Sequence, residues 1–176
     1  MKVIIFLLIT VLSFSGNANV ELINSEIKFS ATGRPSFIKA NGTVPLTETN
    51  IQVRFNEISG IVKVDLNKLD SGIVLRDKHL KEKYLHTHKF PEATLHIVKQ
   101  KINFGTKGKL KVVLNFHGKS KEMTINTILE KNDKIVSLNS DFEFLLTDFG
   151  IELPSFQGIT AADKVKLNVD ARVKLK

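Results

Sequence analysis

The sequence predicts an all-β domain of about eight antiparallel strands, in a barrel or a sandwich, interrupted by one short helical insert. Three observations carry this. Apolar and polar residues alternate with period two in several separate segments, turn residues divide those segments at short intervals, and no helical pattern longer than the insert occurs.

The first residues read as a leader. Lys2 supplies a positive start, residues 3–14 are nearly continuously apolar, and Gly16-Asn17-Ala18 offers small residues for cleavage. The run is too short to span a bilayer comfortably, and no stop-transfer segment follows it. Residues 1–18 are therefore expected to be a signal peptide and residues 19–176 a single domain, long enough for a sizeable core. The expected location is periplasmic or secreted. The chain has no Cys, which excludes disulfides, thiolate metal sites and a lipoprotein anchor. Its net charge is +8, and the leader holds only Lys2 of its charged residues. Such a balance suits nucleic acid, anionic lipid or plain solubility. Export sets nucleic acid aside and leaves a solvated basic surface, with room for transient contact with an anionic membrane.

Ile27, Phe29 and Ala31 alternate with polar residues and open the strand series, and weaker signals follow at residues 51–55 and 58–66. Asp70-Ser71-Gly72 is turn chemistry, because Asp and Ser bond nearby backbone and Gly tolerates positive φ. Asp77 then reads as the cap of a helix over residues 78–85, with Leu80 and Tyr84 one turn apart on one face. Lys89-Phe90-Pro91 ends it, since the residue before Pro is driven out of the α region. Strand patterning resumes at 94–102, and residues 105–108 form a turn. Leu110, Val112, Leu114 and Phe116 alternate along the next strand, which Gly118-Lys119-Ser120-Lys121 terminates. A weaker strand at 123–129 reaches a hairpin tip at Asn132-Asp133. Val136, Leu138, Ser140, Phe142 and Phe144 share one face of the strand after it. The clearest strand is the last, where Val165, Leu167, Val169, Ala171, Val173 and Leu175 alternate without a break with charged and polar residues.

Motifs of catalysis are missing. No Gly-x-Ser-x-Gly or His-Glu-x-x-His occurs, and no spacing of Ser, His and Asp argues for a triad. Gly118-Lys119-Ser120 lacks the earlier glycine of a phosphate loop, where Val113 stands, and Asp148-Phe149-Gly150 has no kinase loops around it. The chain is therefore read as a non-enzyme without a cofactor. His86 and His88 would share a face of an extended segment, with His79 as a third ligand. No carboxylate stands at an obvious spacing, so no metal site is expected. Arg76 has two readings. Its planar fork of donors suits a polar ligand head, and it equally suits pinning the loop to a neighbouring carboxylate or carbonyl. Pinning, with Asp77 as cap, explains both residue types without a ligand.

Two motif blocks carry a family resemblance. The first is Ser71-Gly72-Ile73 leading into Arg76-Asp77-x-His79-Leu80, Tyr84-Leu85 and Lys89-Phe90-Pro91-Glu92-Ala93; the second is Asp148-Phe149-Gly150-Ile151, Pro154-Ser155-Phe156 and Ala162-Asp163-Lys164-Val165. In these the chain resembles the YceI-like family of secreted bacterial lipid-binding proteins. The resemblance implies an eight-stranded antiparallel lipocalin-like β-barrel that holds an isoprenoid or a fatty-acid-type lipid inside. His86 and His88 fall outside the motif positions.

A barrel of eight strands is just wide enough to be filled by side chains or to hold one small ligand. The chain has twelve Phe, one Tyr and no Trp, which suits either a packed core or a greasy wall. Pattern alone favours a filled core, and the resemblance reverses that balance toward lipid binding; a filled barrel acting as a secreted interaction or stress-protective protein stays open as the alternative. Phe29, Leu114, Phe116, Phe142, Phe144 and Val169 belong to apolar strand faces and are expected to line the interior. Leu75, Leu80, Tyr84 and Phe90 are expected to flank it from the insert, whose apolar face must bury. Phe55, Leu95 and Phe149 complete the candidate lining, and Arg76 is the candidate contact for a ligand head.

Overall fold

Strands β1 (Val20–Thr32), β2 (Lys39–Thr43), β3 (Leu46–Arg54), β4 (Glu57–Asp65), β5 (Glu92–Lys101), β6 (Lys107–Phe116), β7 (Lys119–Asn132), β8 (Ile135–Leu145) and β11 (Lys164–Leu175) build one sheet in the computed structural model. Their order is β2-β1-β11-β8-β7-β6-β5-β4-β3, and every neighbouring pair is antiparallel. Strands β9 (Ser155–Phe156) and β10 (Ile159–Thr160) pair separately. The structure describes residues 20–33, 39–153, 155–156, 159–160 and 162–176. The expected leader, residues 1–18, lies outside them, as does Pro154 of the second motif block.

The sheet curls because its connectivity requires it. β2 and β3 occupy opposite edges, yet only Val44 and Pro45 join them. The two edge strands must therefore come together at the ends this link joins. The Val44 N–H donates to the Ile27 carbonyl at 3.0 Å, which extends the β1–β2 ladder to the corner, and Thr43 exchanges backbone hydrogen bonds with Asp70 at 2.8 and 3.0 Å, which ties β2 to the segment after β4. Curling turns one face of every strand toward a common interior.

Nine strands form this sheet, where the patterning predicts eight. The missed strand is β2, Lys-Ala-Asn-Gly-Thr, which lacks apolar alternation. Its place depends on contact instead. A Cβ at Gly42 would stand 2.2 Å from the Asp70 carbonyl oxygen and 2.6 Å from the Phe29 ring, so only glycine lets β2 lie against both. In β4, Gly60 sits at a register shift against β5 with φ +144, and a Cβ there would lie 2.2 Å from the Asn50 carbonyl oxygen.

The insert also differs from its expected form. Helix α1 spans Val74–His79 and passes into a π-turn, Leu80–Tyr84. Its cap is Ile73 rather than Asp77. Asp77 stabilises the start from inside the first turn, accepting the Ser71 backbone N–H at 2.9 Å and the Ser71 hydroxyl. Asp70 closes the turn before it by accepting the Gly72 N–H at 2.7 Å. The π-turn is marked by the Leu85 N–H donating to the Leu80 carbonyl at 2.8 Å.

Buried side chains form two clusters. One gathers Val53, Ile58, Ile97, Leu110, Val112, Ile125, Leu129 and Val136 toward the β3–β4 and β7–β8 hairpins. The other gathers Leu66, Leu69, Leu85, Ala93, Leu114, Phe116, Phe149 and Ile151 beneath the insert.

Gly60→Ala tests the strained bulge. A side chain would meet both the positive φ and the β3 backbone, so a loss of about 1–3 kcal/mol is expected in denaturant unfolding, with the slope unchanged.

Candidate functional site

The inward strand faces do not fill the interior. They enclose a cavity of about 320 Å³, at the lower end of the usual range for ligand pockets. Phe29 of β1, Ile51 of β3, Val64 of β4, Leu95 of β5, Leu114 and Phe116 of β6, Phe142 and Phe144 of β8, and Leu167 and Val169 of β11 form its wall. Leu80, Tyr84 and Leu85 line it from the insert, and Ala40, Glu152 and Ala162 mark the end beside that insert. The strand with the clearest alternation, β11, is only half-buried on its inner face, as are Phe29, Phe142 and Phe144, because one side of each packs on the core while the other borders the void.

The wall offers little to a polar group. Ser140 is buried with its hydroxyl donating to the Asn126 carbonyl at 2.7 Å, and the Thr94 hydroxyl accepts from the Asn115 side-chain amide at 2.8 Å. The exposed residue Glu152 stands at the insert end. Drawing a charged or strongly hydrogen-bonding group inward would strip its water without replacement. The cavity therefore suits a flexible apolar chain whose polar head stays outside.

Four sequence expectations require correction. Phe55 is 96% exposed and points away from the interior: β3 ends at Arg54, and Phe55 takes φ +48 in the tight turn to β4, which breaks the alternation that Ile51 and Val53 follow inward. Leu75 is 64% exposed on the outer side of α1, because the helix begins earlier than the sequence predicts and its register turns Leu75 outward. Phe90 packs its ring on His117 with centroids 4.5 Å apart and does not line the cavity. Phe149 is fully buried but stands behind the wall. It meets Phe116 and Phe144 edge to face, all three ring centroids being 5.5 Å apart, and so holds two lining rings in place.

Arg76 does not line the cavity either. Its Nε donates to the Ser71 hydroxyl at 2.8 Å, one terminal nitrogen to the Ser71 carbonyl at 2.6 Å and the other to the Lys39 carbonyl at 3.1 Å. It clamps the turn before α1 to the start of β2, the pinning alternative of the sequence reading. The second motif block is held in a similar way: the Asp163 carboxylate accepts the Thr147 backbone N–H at 3.0 Å and its hydroxyl at 2.9 Å.

His86 does not converge with His88 on a common site. The two rings meet edge to face at 6.1 Å, while His86 Nδ1 lies 3.1 Å from His117 Nε2, and His117 Nδ1 lies 3.2 Å from the Phe149 carbonyl oxygen. Among the described residues no three His, Cys, Asp or Glu side chains gather where they would hold a metal. Spacing gave no sign of His117, because β6 and the insert are brought together only by the sheet. Leu138 and Leu167, by contrast, were available from the same alternation as Phe142 and Val169.

A sequence model described as the YceI-like domain matches residues 19–173. No curated protein sequence matches the chain significantly. Among solved structures, BcnA of Burkholderia cenocepacia is similar with a TM-score of 0.70 at 16% identity, over 87% of this chain and 98% of that one. A polyisoprenoid binding domain from Saccharophagus degradans implicated in plant cell wall breakdown gives 0.67 at 11% identity, over 91% and 99%. The Campylobacter jejuni YCEI protein gives 0.62 at 16% identity, over 91% and 86%.

Two predictions follow from the packing. Phe149→Ala should cost about 3–5 kcal/mol in ligand-free protein, the loss expected of a fully buried aromatic, whereas Phe142→Ala, facing the void, should cost clearly less. Denaturant unfolding of both variants checks the difference. The second concerns Asp77, whose carboxyl is held below the usual carboxylate range by the Ser71 hydroxyl first, then by the Ser71 N–H and the charges of Lys81 and Arg76. A depressed carboxylate adds stability that is present above its unfolded-state value and is lost as pH falls through the lowered folded value. Asp77→Asn should therefore melt below wild type at neutral pH, with the gap closing below the ordinary carboxylate range.

Proposed function

The chain belongs to the YceI-like family, and on that premise we propose that it is a non-catalytic binding protein that holds a long-chain isoprenoid or similar amphiphilic lipid inside its sheet. The observation that carries this reading is the cavity. Its wall is hydrocarbon from nearly every strand, and the hydroxyls of Ser140 and Thr94 in it are engaged by the protein itself. An apolar tail gains roughly 0.8 kcal/mol for each CH₂ taken out of water, so a sleeve of this kind can carry a tail through an aqueous compartment. The similar domain from Saccharophagus degradans is described as polyisoprenoid binding, which supports the same ligand class. Residues 1–18 direct the protein out of the cytoplasm in this reading, so that it serves transport, storage or stress response in the periplasm or beyond.

Mass spectrometry of lipid extracted from purified protein tests the proposal, followed by melting of delipidated protein with and without added polyprenyl lipid. A bound long-chain lipid and a raised melting temperature are expected. Leu80→Asp, which places a charge on the cavity wall, should lower both melting temperature and lipid retention. An empty extract together with no melting shift would overturn lipid binding and favour a protein that acts through its surface.

A further inference from the structure

The insert presents two surfaces of opposite purpose. Leu80, Tyr84 and Leu85 line the cavity, while Ile73, Val74 and Leu75 stand in solvent at 52%, 87% and 64% exposure. Exposed large hydrophobics elsewhere among the described residues are not consecutive in the chain, and scattered ones are ordinary on a protein surface. This run is different: three consecutive large side chains project from the first turn of a helix. The fold does not need them there. The start of the insert is secured by polar contacts from Asp70, Arg76 and Asp77.

Charge surrounds the run. Lys78 lies four residues beyond Val74, so the helix brings both to one face, and Lys81 follows on the next turn. Lys78, Lys81 and Lys83 form no ion pair among the described residues. Apolar side chains at the tip with lysines behind them are the arrangement of a segment that seats in the headgroup layer of an acidic bilayer. A folded protein partner fits less well, because three side chains cannot supply the area of a stable protein interface.

We propose that residues Ile73, Val74 and Leu75, flanked by Lys78 and Lys81, dock the insert onto an anionic phospholipid membrane. The inference rests on the lipid-binding reading for its purpose: the segment seated on the bilayer is the one whose other side lines the cavity, so cargo would pass beside it. The docking itself is measured without any cargo.

Co-sedimentation with vesicles decides it, comparing pure phosphatidylcholine with phosphatidylcholine containing roughly one-third phosphatidylglycerol. Wild type should partition onto the acidic vesicles and release at high salt. Val74→Asp with Leu75→Asp should lower that partition roughly tenfold or more, while the melting temperature holds because both side chains are exposed. Lys78→Gln with Lys81→Gln should lose about fivefold per lysine on acidic vesicles only. Phe55→Ser, which removes the other prominent exposed hydrophobic at a distant hairpin, should change nothing. The proposal is overturned if wild type ignores acidic vesicles, if the double Asp variant partitions like wild type, or if sedimentation velocity shows that the double Asp variant instead abolishes a dimer. Lipid extracted from the same preparations separates the two readings. Cargo without vesicle binding sinks the docking alone, and vesicle binding with an empty extract and no melting shift on added polyprenyl lipid sinks the lipid-carrier function alone.

Discussion

The two-residue link between β2 and β3 is the constraint on which the rest of the molecule depends. Hydrogen bonding places these strands at opposite edges of a nine-stranded sheet, while the chain places them Val44 and Pro45 apart. A flat sheet cannot satisfy both. Curling does, and it converts a set of one-sided strands into a common interior. The corner is reinforced where the insert begins, through the Thr43–Asp70 backbone pair and the reach of Arg76 to the Lys39 carbonyl. Closure of the sheet and placement of the insert are therefore one structural event.

Packing within that interior is unequal. Branched aliphatic residues of β3 to β8 interlock into a buried cluster toward the hairpins, and aromatic residues gather under the insert. Between and beside these clusters the inner faces of β1, β8 and β11 border space. An empty apolar cavity is destabilising, because its walls lack dispersion partners. The surrounding structure offsets this with rigid supports that do not touch the void, above all Phe149 behind Phe116 and Phe144. The carbonyl of Phe149 in turn faces His117, whose other nitrogen faces His86 at the end of the insert. The wall and the insert are thus tied to one another through groups that never meet the cavity.

The polar residues of both motif blocks are scaffolding, while Leu80, Tyr84 and Leu85 of the first line the cavity. Ser71, Arg76 and Asp77 form a polar knot at the start of the insert, and Asp163 fixes Thr147 ahead of Phe149. These residues resemble a reactive site in type, with a hydroxyl, a carboxylate and a guanidinium close together, but their hydrogen bonds run to one another and to backbone. Chemistry-bearing residues that hold the insert in place leave the cavity itself free to be hydrocarbon.

Alternation alone determined the all-β class, the inward faces of β1, β6, β8 and β11, and so most of the cavity wall, including Phe29, Leu114, Phe116, Phe142, Phe144 and Val169. It could do so because side-chain direction in a strand is a local property with period two. Helical spacing likewise put Leu80 and Tyr84 together. Where local geometry departs from the ideal, the reading failed: a positive φ turned Phe55 out of its strand, an earlier helix start turned Leu75 to solvent, and β2 carried no pattern because contact with Phe29 and Asp70 selects it. Tertiary structure alone decided that the interior is hollow, that Phe149 supports rather than lines, and that His86 faces His117 instead of His88. Each of these depends on which distant segments curling brings together, and on whether the volume between them is filled, which no spacing along the chain encodes.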